Sequence, residues 1–176
     1  MIHALDRRPR PTQPVPTLTV PTVGDGLWRL EAANPERFTM IVFYRGLHCP
    51  VCKSYVRLLD SRIPDFEARG VSVIAVSGDD EARARRTVKE WGLTQLTVGY
   101  GQSVASMREW GLYVSTGVKP DEPAEFGEPG LFLVRRDGTL YYAAVNSMPF
   151  GRPPIGDMIG ALDFIIARDY PARGAA

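Results

Sequence analysis

The 176-residue chain contains two cysteines, Cys49 and Cys52, three positions apart in Cys49-Pro50-Val51-Cys52. Thiols at this spacing can close reversibly into a disulfide. One sulfur attacks, and the other either releases a mixed disulfide or condenses with a sulfenic acid. Two such close cysteines cannot staple distant parts of a fold, so a structural disulfide framework is excluded. The reactive species is the thiolate, which needs positive charge or free N–H donors close by. His48 directly precedes the pair and Arg45 lies just upstream; either lowers a thiol pKa if its side chain turns inward. Two other uses compete. Zinc would need four ligands, and beyond the cysteines the chain offers His3, His48 and carboxylates, with His48 poorly spaced beside Cys49. The pair can also serve as inert, small apolar core residues.

The elements around the pair are those that thiol chemistry needs. Thr39–Tyr44 (TMIVFY) is short, apolar and partly β-branched, a buried strand pattern. After the CxxC segment, Tyr55, Leu58, Leu59, Ile63 and Phe66 recur at helical spacing, with Pro64 expected to kink or restart the helix. The pair therefore falls where a strand gives way to a helix, whose first turn presents unpaired N–H groups and partial positive charge. A CxxC in this context is more specific than the bare spacing. Lys53 reads as a first-turn residue turned to water.

Further along, Val71–Val76 (VSVIAV) is a second buried strand. Ser77, Asp79 and Asp80 offer caps for a helix reaching Trp91, with Ala84, Val88 and Trp91 on its apolar face. The run Arg83, Arg85, Arg86 reads as that helix's solvated face. A short strand at Leu96–Val98 and a helix at about 103–110 follow. Residues 112–130 look like a loop, broken by Pro and Gly, long enough to cover the thiol site. Leu131–Val134 and Thr139–Val145 flank a turn at Arg136-Asp137-Gly138. Ile155, Met158, Ile159, Leu162, Ile165 and Ile166 mark a C-terminal amphipathic helix. Alternating βαβ units followed by a hairpin predict an α/β protein with a mixed central sheet flanked by helices. Residues 1–26 carry five prolines and are expected to form an extended arm ahead of one domain over 27–176.

Bulk composition narrows the function classes. With 21 basic and 20 acidic residues, nothing draws the chain to nucleic acid or an anionic membrane. No apolar stretch approaches the length of a membrane span. The N-terminus lacks the apolar core of a secretory signal, so the expected compartment is the cytoplasm, where thiols stay reduced. No cofactor motif is evident.

The segments FYRGLHCPVCKSYVRLLD, VSVIAVSGDD, EPGLFLVRRDGTLYY and MPFGRP, in that order, resemble the peroxiredoxin-like branch of the alkyl hydroperoxide reductase/thiol-specific antioxidant family. The resemblance spans most of the chain and implies a thioredoxin-like fold with a peroxiredoxin-type N-terminal extension. Set on the PxxxTxxC pattern of peroxiredoxins, Arg45 takes the Pro position, Cys49 the Thr position and Cys52 the peroxidatic position. The peroxide-binding arginine before the Gly-Leu-Phe strand is replaced by Pro129. A proline there is instead a thioredoxin feature, usually with a cis bond, so Glu128-Pro129 is a site to inspect. On that alignment Cys49 is the nucleophile and Cys52 resolves, while the buried acid of thioredoxins is replaced by Phe43. Arg152 of PFGRP falls in a segment near the peroxiredoxin dimer interface and reads as structural. The trio Trp28, Trp91 and Trp110 reads as core.

The expected function is a thiol-dependent oxidoreductase cycling Cys49 and Cys52 between dithiol and disulfide, with Arg45, His48, Glu128 and Pro129 in support. The expected partners are a hydroperoxide or disulfide substrate and a thioredoxin- or glutathione-type thiol reductant, with a homodimer implied by the family. A non-enzymatic redox sensor and a metal-binding module are the alternatives.

Overall fold

The strand β3, Phe38–Phe43, is buried at every position, which places it inside a sheet covered on both faces. In the computed structural model, residues 8–24 and 26–176 are described. Among them, β1 (Thr19–Thr22), β2 (Gly26–Arg29), β3, β4 (Val71–Val76), β5 (Thr97–Gly99), β8 (Gly130–Arg135) and β9 (Leu140–Val145) form a seven-stranded sheet. Its order is β2-β1-β5-β4-β3-β8-β9. The β3–β4 and β4–β5 pairs are parallel; β3–β8, β8–β9, β1–β2 and β1–β5 are antiparallel, making the sheet mixed as expected. Within the described part of the proline-rich segment the chain turns at Pro11–Thr12, with Thr12 at φ +69°, and from Thr19 it is strand: β1 pairs with β2 at one edge of the sheet.

Between β3 and β4 run α1 (Pro50–Ser61) and α2 (Ile63–Glu67), which break at Arg62 so that Pro64 sits in the first turn of α2. The buried stripe is Cys52, Val56, Leu59, Ile63 and Phe66; Leu58, expected inside, is half exposed. Helix α3 (Glu81–Trp91) starts at Asp80, whose carboxylate caps the Arg83 N–H at 2.8 Å, and ends at Gly92. Helices α4 (Val104–Glu109) and α5 (Ile155–Arg168) follow. One core lies on the face carrying α1, α2, α5 and Trp91; the other packs Phe43, Phe132, Trp110 and Met107 on the opposite face. Trp91 and Trp110 are buried and Trp28 partly so. The hairpin at Arg136-Asp137-Gly138 closes with Gly138 at φ +82°.

The segment 112–130 departs from the expected loop. It contains a small two-stranded sheet, β6 (Val114–Thr116) with β7 (Glu125–Gly127). Strands this short carry little periodicity, and their Pro- and Gly-rich connection hides them. Among the described residues, no helix is long and apolar enough to cross a membrane.

Asp60, near the end of α1, is buried and receives the N–H groups of Thr94, Gln95 and Leu96 at 3.0, 2.9 and 2.8 Å. It ties the helix bearing the cysteines to the approach to β5. Asp60→Ala strands three donors, and a loss of about 2–3 kcal/mol is expected in urea unfolding.

Candidate active site

The chain leaves β3 at Phe43, turns through residues 44–48 and enters α1 with Cys49 as its N-cap and Pro50 in the first turn. Proline suits that position because its missing N–H would have had no helical partner. The Cys49 sulfur accepts the Cys52 N–H at 3.1 Å, so the helix terminus is capped by the reactive group itself. Cys49 and Cys52 are joined as a disulfide, with Cα atoms 5.2 Å apart. Both sulfurs are covered: Cys49 is 2% exposed and Cys52 0%.

Arg152 is the residue that sequence reasoning misplaced. Read as structural, it instead reaches from the 146–154 loop and donates from Nη2 to the Cys52 sulfur at 2.9 Å. Its guanidinium stacks 4.9 Å from the centroid of the Tyr55 ring. Its Nε and Nη1 are buried without a hydrogen-bond partner. Burial pulls its pKa down to about 10, which leaves it charged at neutral pH. The loop is pinned for this purpose. Asn146 donates to the carbonyls of Phe150 and Gly151, and Tyr55 Oη donates to Pro153 O at 2.7 Å. The Asn146 N–H reaches Pro129 O at 2.9 Å. The short PFGRP segment contains no periodicity that would have signalled this contact.

Arg45 lies near this group but does not bind a sulfur. Its Nε and Nη2 grip Glu128 at 2.8 and 2.7 Å, and Ser115 Oγ donates to the same carboxylate at 2.6 Å. Glu128 is 1% exposed, and the Arg45 guanidinium lies over Phe126, 5.1 Å from the ring centroid. The bidentate clamp fastens the loop before α1 to β7 and the start of β8. Pro129, beside Glu128, lines a small pocket with Tyr55, Asn146 and Arg152. The Glu128–Pro129 bond, inspected for a cis geometry, is trans.

His48 belongs to a third group. Asp79, whose carboxylate is fully buried, accepts the Leu47 N–H at 2.7 Å and Arg83 Nε at 2.8 Å. Gly46, at φ +132°, lies so close that a Cβ there would stand 2.7 Å from the Asp79 carboxylate oxygens. Arg83, expected on a solvated face, turns back and places Nη2 3.3 Å from His48 Nδ1. A guanidinium only donates, so Nδ1 is the acceptor and the imidazole proton sits on Nε2. That nitrogen is buried without a partner, and the ring packs edge-on to Phe126. Among the described residues, no three His, Cys, Asp or Glu side chains converge as a metal site. His3, the other zinc candidate, lies outside the described residues.

The sequence matches the model of the AhpC/TSA family over residues 11–143. A curated protein of Synechocystis sp. that carries the name of a peroxiredoxin is 25% identical over 146 residues, 80% of this chain and 70% of its own. The fold is shared with a peroxiredoxin-like protein from Aquifex aeolicus (TM-score 0.73, 16% identity, 92% of this chain and 90% of that one). It is also shared with a Plasmodium vivax 2-Cys peroxiredoxin in its reduced form (TM-score 0.74, 16% identity, 91% and 98%).

Burial, chiefly, holds the His48 pKa below its ordinary 6.5; Arg83 and Arg45 push the same way and Asp79 opposes them. The folded protein thus resists protonating this ring, while the unfolded chain takes up the proton near the ordinary value. Stability from this group is full above about pH 6.5 and is lost as pH falls below it. Urea midpoints measured between about pH 7.5 and 5.5 should fall more steeply for the wild type than for His48→Gln.

Proposed function

The chain belongs to the AhpC/TSA family, and we propose that within it the protein is a thiol peroxidase in which Cys52 attacks a small hydroperoxide and Cys49 resolves the product. The protein is a thiol-dependent oxidoreductase of the peroxiredoxin type, and its CxxC pair stands as a disulfide. The observation that carries the finer assignment is Arg152. One of its nitrogens is on the Cys52 sulfur, while Nε and Nη1 are buried with nothing to donate to. In the reduced protein the first contact stabilises the Cys52 thiolate. The remaining donors suit the oxygens of a peroxide, where negative charge develops as the O–O bond breaks.

The steps balance without a cofactor. The Cys52 thiolate attacks one peroxide oxygen and the O–O bond breaks. The departing oxygen takes a proton and leaves as water or an alcohol, and Cys52 becomes a sulfenic acid. The Cys49 thiol then attacks the Cys52 sulfur, forming the disulfide and releasing water. Near-complete burial of both sulfurs favours an oxidant of a few atoms over a folded protein disulfide. A thiol reductant returns the pair to the dithiol. CxxC at a helix N-terminus also suits disulfide reduction, with Cys49 as the attacking sulfur, which is the second reading.

Single-turnover mixing of the reduced protein with hydrogen peroxide separates the two. Cys52→Ser should abolish fast thiol loss, whereas Cys49→Ser should still react and stop at a trappable sulfenic acid. Arg152→Gln should slow the reaction by about a hundredfold, the usual consequence of removing one donor from developing oxygen charge. Peroxide rates no faster than those of a free thiol in every form would overturn the peroxidase and leave the disulfide reductase.

A further inference from the structure

When Cys52 attacks a hydroperoxide, the departing oxygen needs a proton as the O–O bond breaks, and a positioned acid supplies it best. Cys49 and Cys52 are both buried, so a donor held at the sulfurs acts sooner than solvent. The neighbouring side chains are poor acids or already committed. Tyr55 Oη donates to Pro153 O at 2.7 Å, and burial pushes its pKa up to about 12. Tyr44 lies in the same core cluster as the cysteines, and burial raises its hydroxyl well above the ordinary value. His48 is held neutral by burial, with Nδ1 turned to Arg83. The Glu128 carboxylate accepts from Arg45 and Ser115. Arg152 is needed as a cation, and a guanidinium keeps its protons.

Cys49 is the remaining acid, and its position suits the task. The first turn of α1 sets the two cysteine Cα atoms 5.2 Å apart, and the Lys53 N–H closes that turn on Cys49 O at 3.0 Å. The sulfurs therefore stay side by side when the disulfide opens. Arg152 Nη2, 2.9 Å from the Cys52 sulfur, is a charged donor, whereas the Cys49 sulfur receives one neutral N–H, from Cys52, at 3.1 Å. The negative charge of the reduced pair settles on Cys52 for that reason. A thiolate in contact disfavours a second one, which keeps the other proton on Cys49. The Cys52 N–H engages a sulfur lone pair and leaves the Cys49 S–H free to donate. We infer that the Cys49 thiol is the general acid of the peroxidase step, and that giving up its proton makes it the thiolate that resolves Cys52. The inference rests on the proposed peroxidase cycle. The Cys52 sulfur bonds to one peroxide oxygen, and the O–O electron pair goes to the other, which takes the Cys49 proton and leaves as water or an alcohol. The Cys49 thiolate then attacks the Cys52 sulfur and expels hydroxide, which takes its proton from solvent on leaving the site. The sulfur pair loses two electrons and the peroxide gains two.

The test uses the reduced full-length protein and two small electrophiles, hydrogen peroxide and iodomethane. At low peroxide the second-order rate constant for thiol loss reports the first step, before Cys49 acts as a nucleophile. Iodomethane is attacked by the same Cys52 thiolate, but iodide leaves without a proton; peptide mass spectrometry assigns the methylation to Cys52. The ratio of the peroxide to the iodomethane rate constant therefore cancels changes in thiolate fraction, packing and access. It should fall by about a hundredfold in Cys49→Ala, the scale of general-acid catalysis. Cys49→Ser cannot resolve Cys52 but keeps an O–H in the same place, and its ratio should lie between those of Cys49→Ala and the wild type. A ratio in Cys49→Ala within about threefold of the wild type, or one in Cys49→Ser no higher than in Cys49→Ala, overturns the inference and leaves the peroxidase standing. Wild-type peroxide rate constants no faster than those of a free thiol overturn the peroxidase itself.

Discussion

A buried guanidinium with unused donors is costly, and Arg152 is held in that condition by everything around it. Its loop is tied down by Asn146, its plane rests on Tyr55, and one nitrogen lies on the Cys52 sulfur. Tyr55 stands on α1, three residues from Cys52, and its hydroxyl holds Pro153 beside the arginine. Helix, loop and thiol are thus set by one contact between a cation and a sulfur. Such an arrangement persists because the surrounding contacts over-determine the position of the arginine.

Around this contact the two cysteines have different surroundings despite their short separation. Cys49 caps a helix, and its chain neighbours His48 and Pro50 line a surface cleft that Cys49 itself does not. Cys52 sits inside the core, on the same face as Val56 and Leu59, with Arg152 on its sulfur. Two buried acids hold the turn leading into the pair: Glu128 grips Arg45, and Asp79 holds the Leu47 N–H and Arg83. Through Arg83, Asp79 also sets the tautomer of His48. The strand-to-helix junction is therefore rigid on both sides, as a site needs when its reactive atoms must be held within a fraction of an ångström.

The main elements were legible in the sequence because their signals are local. VSVIAV became β4 over the residues expected, and the DG turn closed the β8–β9 hairpin. Helix α3 begins at Asp80, one of the three caps proposed. Elements stabilised mainly by distant partners were not legible. Strand β1 carries Pro21, which masks its strand character, β2 is only four residues long, and β6 and β7 are only three. Leu58 fell outside the buried stripe because its neighbour Leu59 has the position that faces the sheet.

The same division holds at the site. Cys49 and Cys52, their place after a buried strand, and the helix that follows them are read from spacing alone, since they are contiguous in the chain. Family membership was also within reach of the sequence, because its motifs keep their order. What the tertiary structure decided is which charges meet the pair. Arg45 is close to Cys49 in sequence yet is bound to Glu128, 83 residues away, while Arg152, 100 residues from Cys52, lies on its sulfur. Arg83 looked like one more solvated helix cation until the fold set it against Asp79 and His48. Nearness along the chain predicts local structure, but an arginine's partner is chosen by packing, which brings buried acids and sulfurs within reach and removes the water that would otherwise solvate the charge.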